Sequence, residues 1–409
     1  MSSSRPALSI AERLAGSIVA LDPARVPQPV RRKCEELVID VIGLAIAARN
    51  EDYVKGAMAA FDDDGPCTAI GHERTMSAAG ATFVNGTAVH GEDFDDTFEG
   101  GPVHAGAVVV PAVLATCERY KADGPAALLG IAVGVETTCR LSLVAPKAVH
   151  RAGFHPTAVF GAVGAAAGVG AALGLDQRQL VDALGNVGSM ASGIIEYLAE
   201  GAWTKRFHPG WAAQSGLRAA LLGRAGFVGP RTVFEGVHGL FNGFAHTTAG
   251  DYEALTKDFG ARWAIDTLAF KPYPCGTMAQ PYIDCAHRLA ARGIKPEDVT
   301  EIACEVAEGT VHRLWEPLAD KQRPRNGYAA KFATPYLLAA GFVHGGVGLG
   351  AFTESAIHDE RVLALAAKVK FVIDPDNPYP NNYTGHIRAT LRDGSVVEDR
   401  QPHLRGGAQ

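Results

Sequence analysis

The sequence predicts a mainly α protein, with a large all-helical domain over residues 1–264 and a smaller α+β domain over residues 265–402. Three observations carry that expectation. At 409 residues the chain exceeds what one average core accommodates, so two domains are expected. Apolar residues recur at helical spacing through the first part, in "PVRRKCEELVIDVIGLAIAAR", "AVVVPAVLATCERY", "PAALLGIAVGVETTCRLSLV" and "AAQSGLRAALLGRAG", with Gly, Pro and Asp at the connections. After about Ala264 strand-like alternation enters and mixes with helical stretches.

Taken in order, "MSSSRPALSIAERLAGSIVALDP" reads as a polar tail and an amphipathic helix; it has no sustained apolar run of the signal-peptide kind. Residues 158–175 are free of polar side chains and reach membrane-spanning length. They are dominated by Gly and Ala, whose transfer into lipid is poor, so a tightly packed core helix is expected. In the second part "VTEIACEVA" and "KVKFVID" alternate as half-buried strands, and "GHIRATLRDGSVVEDR" reads as a hairpin turning at Asp393-Gly394. Helices are expected in "GTMAQPYIDCAHRLAARG" and "FATPYLLAAGFVHG".

Composition narrows the function classes. Hydrophobic residues make up 47% and charged residues 20%, as in an ordinary globular protein. A net charge of −6 without a basic run gives no footprint for nucleic acid. Seven scattered cysteines, never in a CxxC pair, argue against a disulfide scaffold or a thiolate zinc site and fit a reducing cytoplasm.

The stretch "HGEDFDDTFEGGPVHAG", residues 90–106, concentrates ionisable groups. Read as a helix, it places His90, Asp93 and Thr97 on one face and leaves Asp95 and Asp96 to solvent or to capping. His90, Asp93 and His104 could ligate a metal, although no HExxH or EF-hand spacing occurs. His104 can serve as a general acid or base, and the Gly100-Gly101-Pro102 break would let it open a new helix.

His104 also begins a recurring pattern. His104, His155, Lys205 and Lys271 each lie in a loop that precedes a helix rich in Gly, Ala, Ser or Thr. Helix N-termini favour anions, small residues let a ligand approach the backbone, and Lys pairs with carboxylates. Converging ends of this kind would hold a small polycarboxylate. Nucleophilic and nucleotide chemistry find less support: there is no GxSxG elbow, P-loop or strand-linked GxGxxG, and Cys275 is the best of the thiols.

The segments "NGTAVHGEDFDDT", "VHAGAVVVPAVLA", "GFHPTAVFGAVGAAAG", "GNVGSMASGIIEYL", "TKRFHPGWAAQSG", "KPYPCGTMAQPYIDC" and "AKFATPYLLAAG" together resemble the MmgE/PrpD family, over about residues 10–400. That family includes 2-methylcitrate dehydratase, cis-aconitate decarboxylase and iminodisuccinate epimerase. The resemblance implies an all-α domain with an α+β domain, a homodimer, and no metal or organic cofactor. It implies catalytic roles for Asp93, Thr97, His104 and Lys205, and substrate binding by His155, Lys271 and Tyr336. It further implies that residues 403–409 start a segment returning to the first domain, shortened at Gln409. The expected function is a cofactor-independent lyase acting on a small di- or tricarboxylate, with dehydration placed first and decarboxylation or epimerisation as alternatives. A metal-dependent hydrolase and a non-catalytic carboxylate-binding protein stand behind them.

Overall fold

The computed structural model describes residues 7–101, 103–379 and 382–407. The first residues of the polar tail, Pro102 of the Gly-Gly-Pro break, and Ala408 and Gln409 of the expected return segment lie outside the described residues. Helices account for 56% and strands for 10%, which gives the mainly α architecture that the sequence predicts. The chain divides into two compact units: residues 1–91 with 95–268, and residues 92–94 with 269–409.

The first unit is built mainly from helices, with a short antiparallel pair, Asp64–Thr68 against Thr75–Met76. Side-chain caps begin several of the helices. Ser9 and Glu12 form a capping box on Ile10–Val19, Asp123 caps Gly124–Val144, and Asp176 and Gln179 box Gln177–Gly188. The apolar run expected as a core helix becomes Pro156–Ala172, buried at every position except Ala171. It packs between Gly124–Val144 and Thr204–Arg224. Glycine permits that packing, since a Cβ on Gly168 would lie 2.5 Å from the Gly130 carbonyl oxygen, and one on Gly134 would lie 2.9 Å from that of Gly164. Among the described residues the helix long and apolar enough to cross a membrane is Gly124–Val144, not the run at 158–175, and 83% of its most apolar window is buried inside the protein.

Gly124–Val144 also carries a buried ion pair. Arg140 Nε donates to Glu136 Oε1 at 2.5 Å, and its Nη atoms donate to the carbonyls of Lys257 and Arg262, each at 2.6 Å. Glu136 Oε2 accepts from the backbone N–H of Ala264 and Ile265. Burial pushes the Glu136 carboxyl up, against the pull of Arg140 and these N–H groups. Every charge in the arrangement has a hydrogen-bonded partner, as a buried pair requires, and the 254–265 segment is tied to the helix by it.

The second unit holds a four-stranded sheet in the order Val369–Ile373, Val299–Val306, Gly385–Leu391, Val396–Gln401. The first two strands are parallel, Ile302 facing Val369, and the other pairings are antiparallel, Ile302 facing Ala389. Period-two alternation buries Ile302, Cys304 and Val306 of the central strand. The last two strands are the expected hairpin, with Gly394 at φ +85°. Helices Gln280–Ala291 and Thr334–His344 pack together, and their core includes Tyr282, Trp315 and Leu337.

Candidate active site

The helix Ala78–His90 ends at His90, because the chain turns at Gly91, where a Cβ would collide with the Tyr53 ring. The helical reading of "VHGEDFDDTF" is therefore corrected. His90, Asp93 and Thr97 share no helix face; the residues after Gly91 form a turn that leads into the short strand Thr97–Phe98. Asp95 and Asp96 are not solvated either, since both are wholly buried.

Each of these aspartates has a definite partner. Asp95 Oδ2 lies 2.6 Å from His90 Nδ1, with both side chains fully buried. Asp96 accepts from the backbone N–H of Ala105 (3.1 Å) and Gly106 (2.9 Å), capping the Gly106–Tyr120 helix from nine and ten residues upstream. Those helix-start N–H groups are thus committed to Asp96 and not offered to a ligand. Burial pushes the Asp96 carboxyl well up, reinforced by Asp95 and Asp40 and opposed by the two N–H bonds.

His104 follows the turn. Its Nδ1 lies 2.6 Å from the Asp96 carbonyl oxygen and 3.3 Å from Thr97 Oγ1, and its backbone N–H donates to Thr157 Oγ1. A carbonyl only accepts, so Nδ1 carries the hydrogen and Nε2 is the acceptor nitrogen of the ring. His155 is the N-cap residue of Pro156–Ala172, its backbone N–H bonded to the Gly193 carbonyl at 2.8 Å. Its Nδ1 meets His208 Nδ1 at 3.2 Å, so one ring donates and the other accepts. Burial drives the His155 ring well below its ordinary range, helped by His208, His90, Lys205 and His104. Burial likewise lowers His208 to about 4, with His90 and Lys205 contributing. The two form a neutral, hydrogen-bonded pair at neutral pH.

The four imidazoles stand in a row. Ring centroids are 5.1 Å apart for His104 and His90, 5.6 Å for His90 and His155, and 5.4 Å for His155 and His208. Tyr197 sits edge-on to the last two rings. Lys205 lies inside the first turn of Thr204–Arg224 and not in a preceding loop; it is 8% exposed and adds positive charge beside His155 and His208.

The second unit contains its own cluster. Asp93 adopts a left-handed conformation (φ +56°), and Lys271 Nζ donates to its Oδ1 (2.8 Å) and to its carbonyl oxygen (2.9 Å). Lys331 is paired with Glu92 Oε2 at 3.0 Å, donates to the carbonyls of Glu92 (2.9 Å) and Pro274 (3.2 Å), and stands 4.2 Å from the centre of the Phe352 ring. Burial lowers the Lys331 ammonium, against the opposing charge of Glu92. Tyr336 donates its hydroxyl to the Ala351 carbonyl at 2.7 Å, and burial pushes its phenol up to about 12. Cys275 is fully buried, and burial raises its thiol to about 12, which removes the thiolate a nucleophile needs. Among the described residues no three His, Cys, Asp or Glu side chains are disposed to hold a metal ion.

The models of the MmgE/PrpD N-terminal and C-terminal domains match residues 12–252 and 273–409. The chain is a member of the MmgE/PrpD family. Its relatives include a cis-aconitate decarboxylase-like protein of Aspergillus oryzae, 26% identical over 97% of this chain and 86% of the relative. The cis-aconitate decarboxylase of Aspergillus terreus is 26% identical over 91% of this chain and 81% of its own length. That of Homo sapiens is 27% identical over 97% and 84%.

Within this MmgE/PrpD chain, Thr97, His104, His155 and Lys205 belong to the first unit, where Thr97 touches His104. Asp93, Lys271 and Tyr336 belong to the second, where Asp93 and Lys271 are paired and Tyr336 is bonded elsewhere. Sequence reasoning missed His208, Lys331 and the pairing of His90 with Asp95. One signal for His208 was on view: Phe207-His208-Pro209 repeats the tripeptide Phe154-His155-Pro156.

Proposed function

We propose that this protein is a lyase that decarboxylates a small unsaturated polycarboxylate of the cis-aconitate type by acid/base chemistry. The observation that carries the reading is the row of imidazoles beside Lys205, in which His104 has its Nδ1 committed to a backbone carbonyl. Loss of CO2 leaves an electron pair on carbon, which needs electrostatic stabilisation and then a proton. Lys205 supplies the fixed cation. The neutral His155–His208 pair can offer an N–H to a substrate carboxylate without ionising, since burial holds both rings low. His104 transfers protons through Nε2, with the Thr97 hydroxyl bracing its other nitrogen. The names of the relatives support decarboxylation, whereas the family resemblance put dehydration first.

The test is incubation in D2O with cis-aconitate-, citrate- and iminodisuccinate-type acids, followed by NMR. The expected result is release of CO2 with one new C–D bond in the product. Loss of water, exchange without bond cleavage, or no change in any acid overturns the assignment.

A further inference from the structure

The pairing of His90 with Asp95 has no part in the chemistry assigned above, yet it has the construction of a proton-transfer group. His90 Nδ1 and Asp95 Oδ2 are 2.6 Å apart and both side chains are wholly buried. A carboxylate accepts, so Nδ1 carries the hydrogen and Nε2 is the nitrogen that gains or loses a proton. That Nε2 is buried and has no hydrogen-bond partner among the described residues. Leaving a buried polar atom unmet is costly, so a purely structural histidine would be expected to bond through both nitrogens. The ring lies between those of His104 and His155, 5.1 and 5.6 Å from them.

His90 and His104 differ in what stands behind them. His104 is backed by a neutral carbonyl at 2.6 Å, with Asp95 Oδ1 no nearer than 3.9 Å. His90 is backed directly by a carboxylate, and a carboxylate stabilises an imidazolium more than a carbonyl does. An aspartate that orients an imidazole and steadies its protonated form is the arrangement enzymes use to hold a proton in transit.

We infer that His90, held by Asp95, is the proton donor of this site, a role that rests on the decarboxylase reading. The carbon–carboxylate bond breaks, its electron pair stays on carbon, and CO2 leaves. The proton on His90 Nε2 then forms the new C–H bond, and the neutral ring takes its next proton from water by way of His104, whose ring is 5.1 Å away.

The experiment compares wild type, His90→Gln and Asp95→Asn on the acid that wild type decarboxylates, in H2O and in D2O, after a melting curve shows each variant folded. His90→Gln is expected to lower kcat by about 10²-fold or more with KM changed less than threefold, the scale of a lost general acid. Residual product in D2O is expected to carry deuterium without the positional or facial selectivity of the wild type. Asp95→Asn, which keeps the shape and removes the charge, is expected to lose kcat in the same way by at least tenfold. A folded His90→Gln with kcat within tenfold of wild type and unchanged deuterium placement overturns the role. So does a folded Asp95→Asn with wild-type kcat. Should His90→Gln not fold, Asp95→Asn decides alone. A wild type inactive on every acid overturns the decarboxylase reading itself and this role with it, an outcome distinct from an active wild type with an unaffected variant.

Discussion

Both units bury ionisable groups, but they treat them differently. In the second unit the buried cations are heavily bonded: Lys331 has two carbonyls, a carboxylate and an aromatic face, and Lys271 has both the carboxylate and the carbonyl of Asp93. In the first unit the buried imidazoles keep capacity in reserve. His90 Nε2 has no partner among the described residues, and His155 and His208 share one Nδ1 contact while burial keeps them neutral. Fully met groups stabilise; groups with unmet donors or acceptors are available to a reaction. The lysine pairs therefore read as structural and the histidine row as chemical.

The largest effect that would sharpen this contrast is on turnover. His104→Gln is expected to lower kcat by about 10²–10⁴-fold while leaving the denaturant midpoint close to that of wild type. Steady-state kinetics and urea unfolding on the same preparation check it. A large loss of stability with kcat preserved would reverse the reading of the first unit.

Next in size is the converse change. Lys331→Met leaves the Glu92 carboxylate, 17% exposed, without its cation, and removes the donor to two carbonyls. Breaking a buried pair from one side is expected to cost about 3 kcal/mol, read as a lower denaturant midpoint for the second unit. A replacement that leaves stability untouched would show that the bonded lysine is not a structural clamp.

These two clusters also mark where the sequence could and could not be read. The hairpin at Asp393-Gly394, the alternation in Val299–Val306 and the helical spacing of Gly124–Val144 are local signals, and each element forms where its pattern lies. Likewise the small residues of Pro156–Ala172 mark a helix that touches its neighbours backbone to backbone. The stretch after His90 misleads because its pairings are not local. Asp96 turns back to cap a helix that starts ten residues later. Glu92 and Asp93 belong with lysines 239 and 178 residues away. Those partners turn an apparently helical, solvated acidic run into a buried turn. Spacing alone could nominate Asp93, His104 and Lys271, but not decide which carboxylate meets which cation.

A third effect, smaller again, depends on pH. His208 titrates near 4 in the folded protein against an ordinary value of 6.5, so the folded state binds fewer protons than the unfolded state between those values. Stability therefore rises with pH through that window, is complete above about 6.5 and is lost as the pH falls towards 4. The full shift corresponds to about 3 kcal/mol as an upper figure. His208→Gln should flatten the fall in melting temperature between pH 6.5 and 4.5. An equally steep fall in the variant would place the acid sensitivity elsewhere, beginning with His155.

The smallest effect tests the contrast at its weakest point, Tyr336. Family resemblance nominates this residue for substrate binding, but its hydroxyl donates to the Ala351 carbonyl at 2.7 Å and the ring is buried among core residues of the second unit. A phenol so engaged has already used its one hydrogen, and with its ionisation pushed up to about 12 it is no base at neutral pH. Tyr336→Phe keeps the packing and removes one hydrogen bond, so stability should fall by about 1 kcal/mol and kcat by less than threefold. A kcat loss of a hundredfold without a matching change in stability would show that the hydroxyl leaves Ala351 when substrate binds. Full bonding in the resting protein would then no longer separate structural from chemical groups, and Lys271, equally well bonded, would have to be reassessed in the same way.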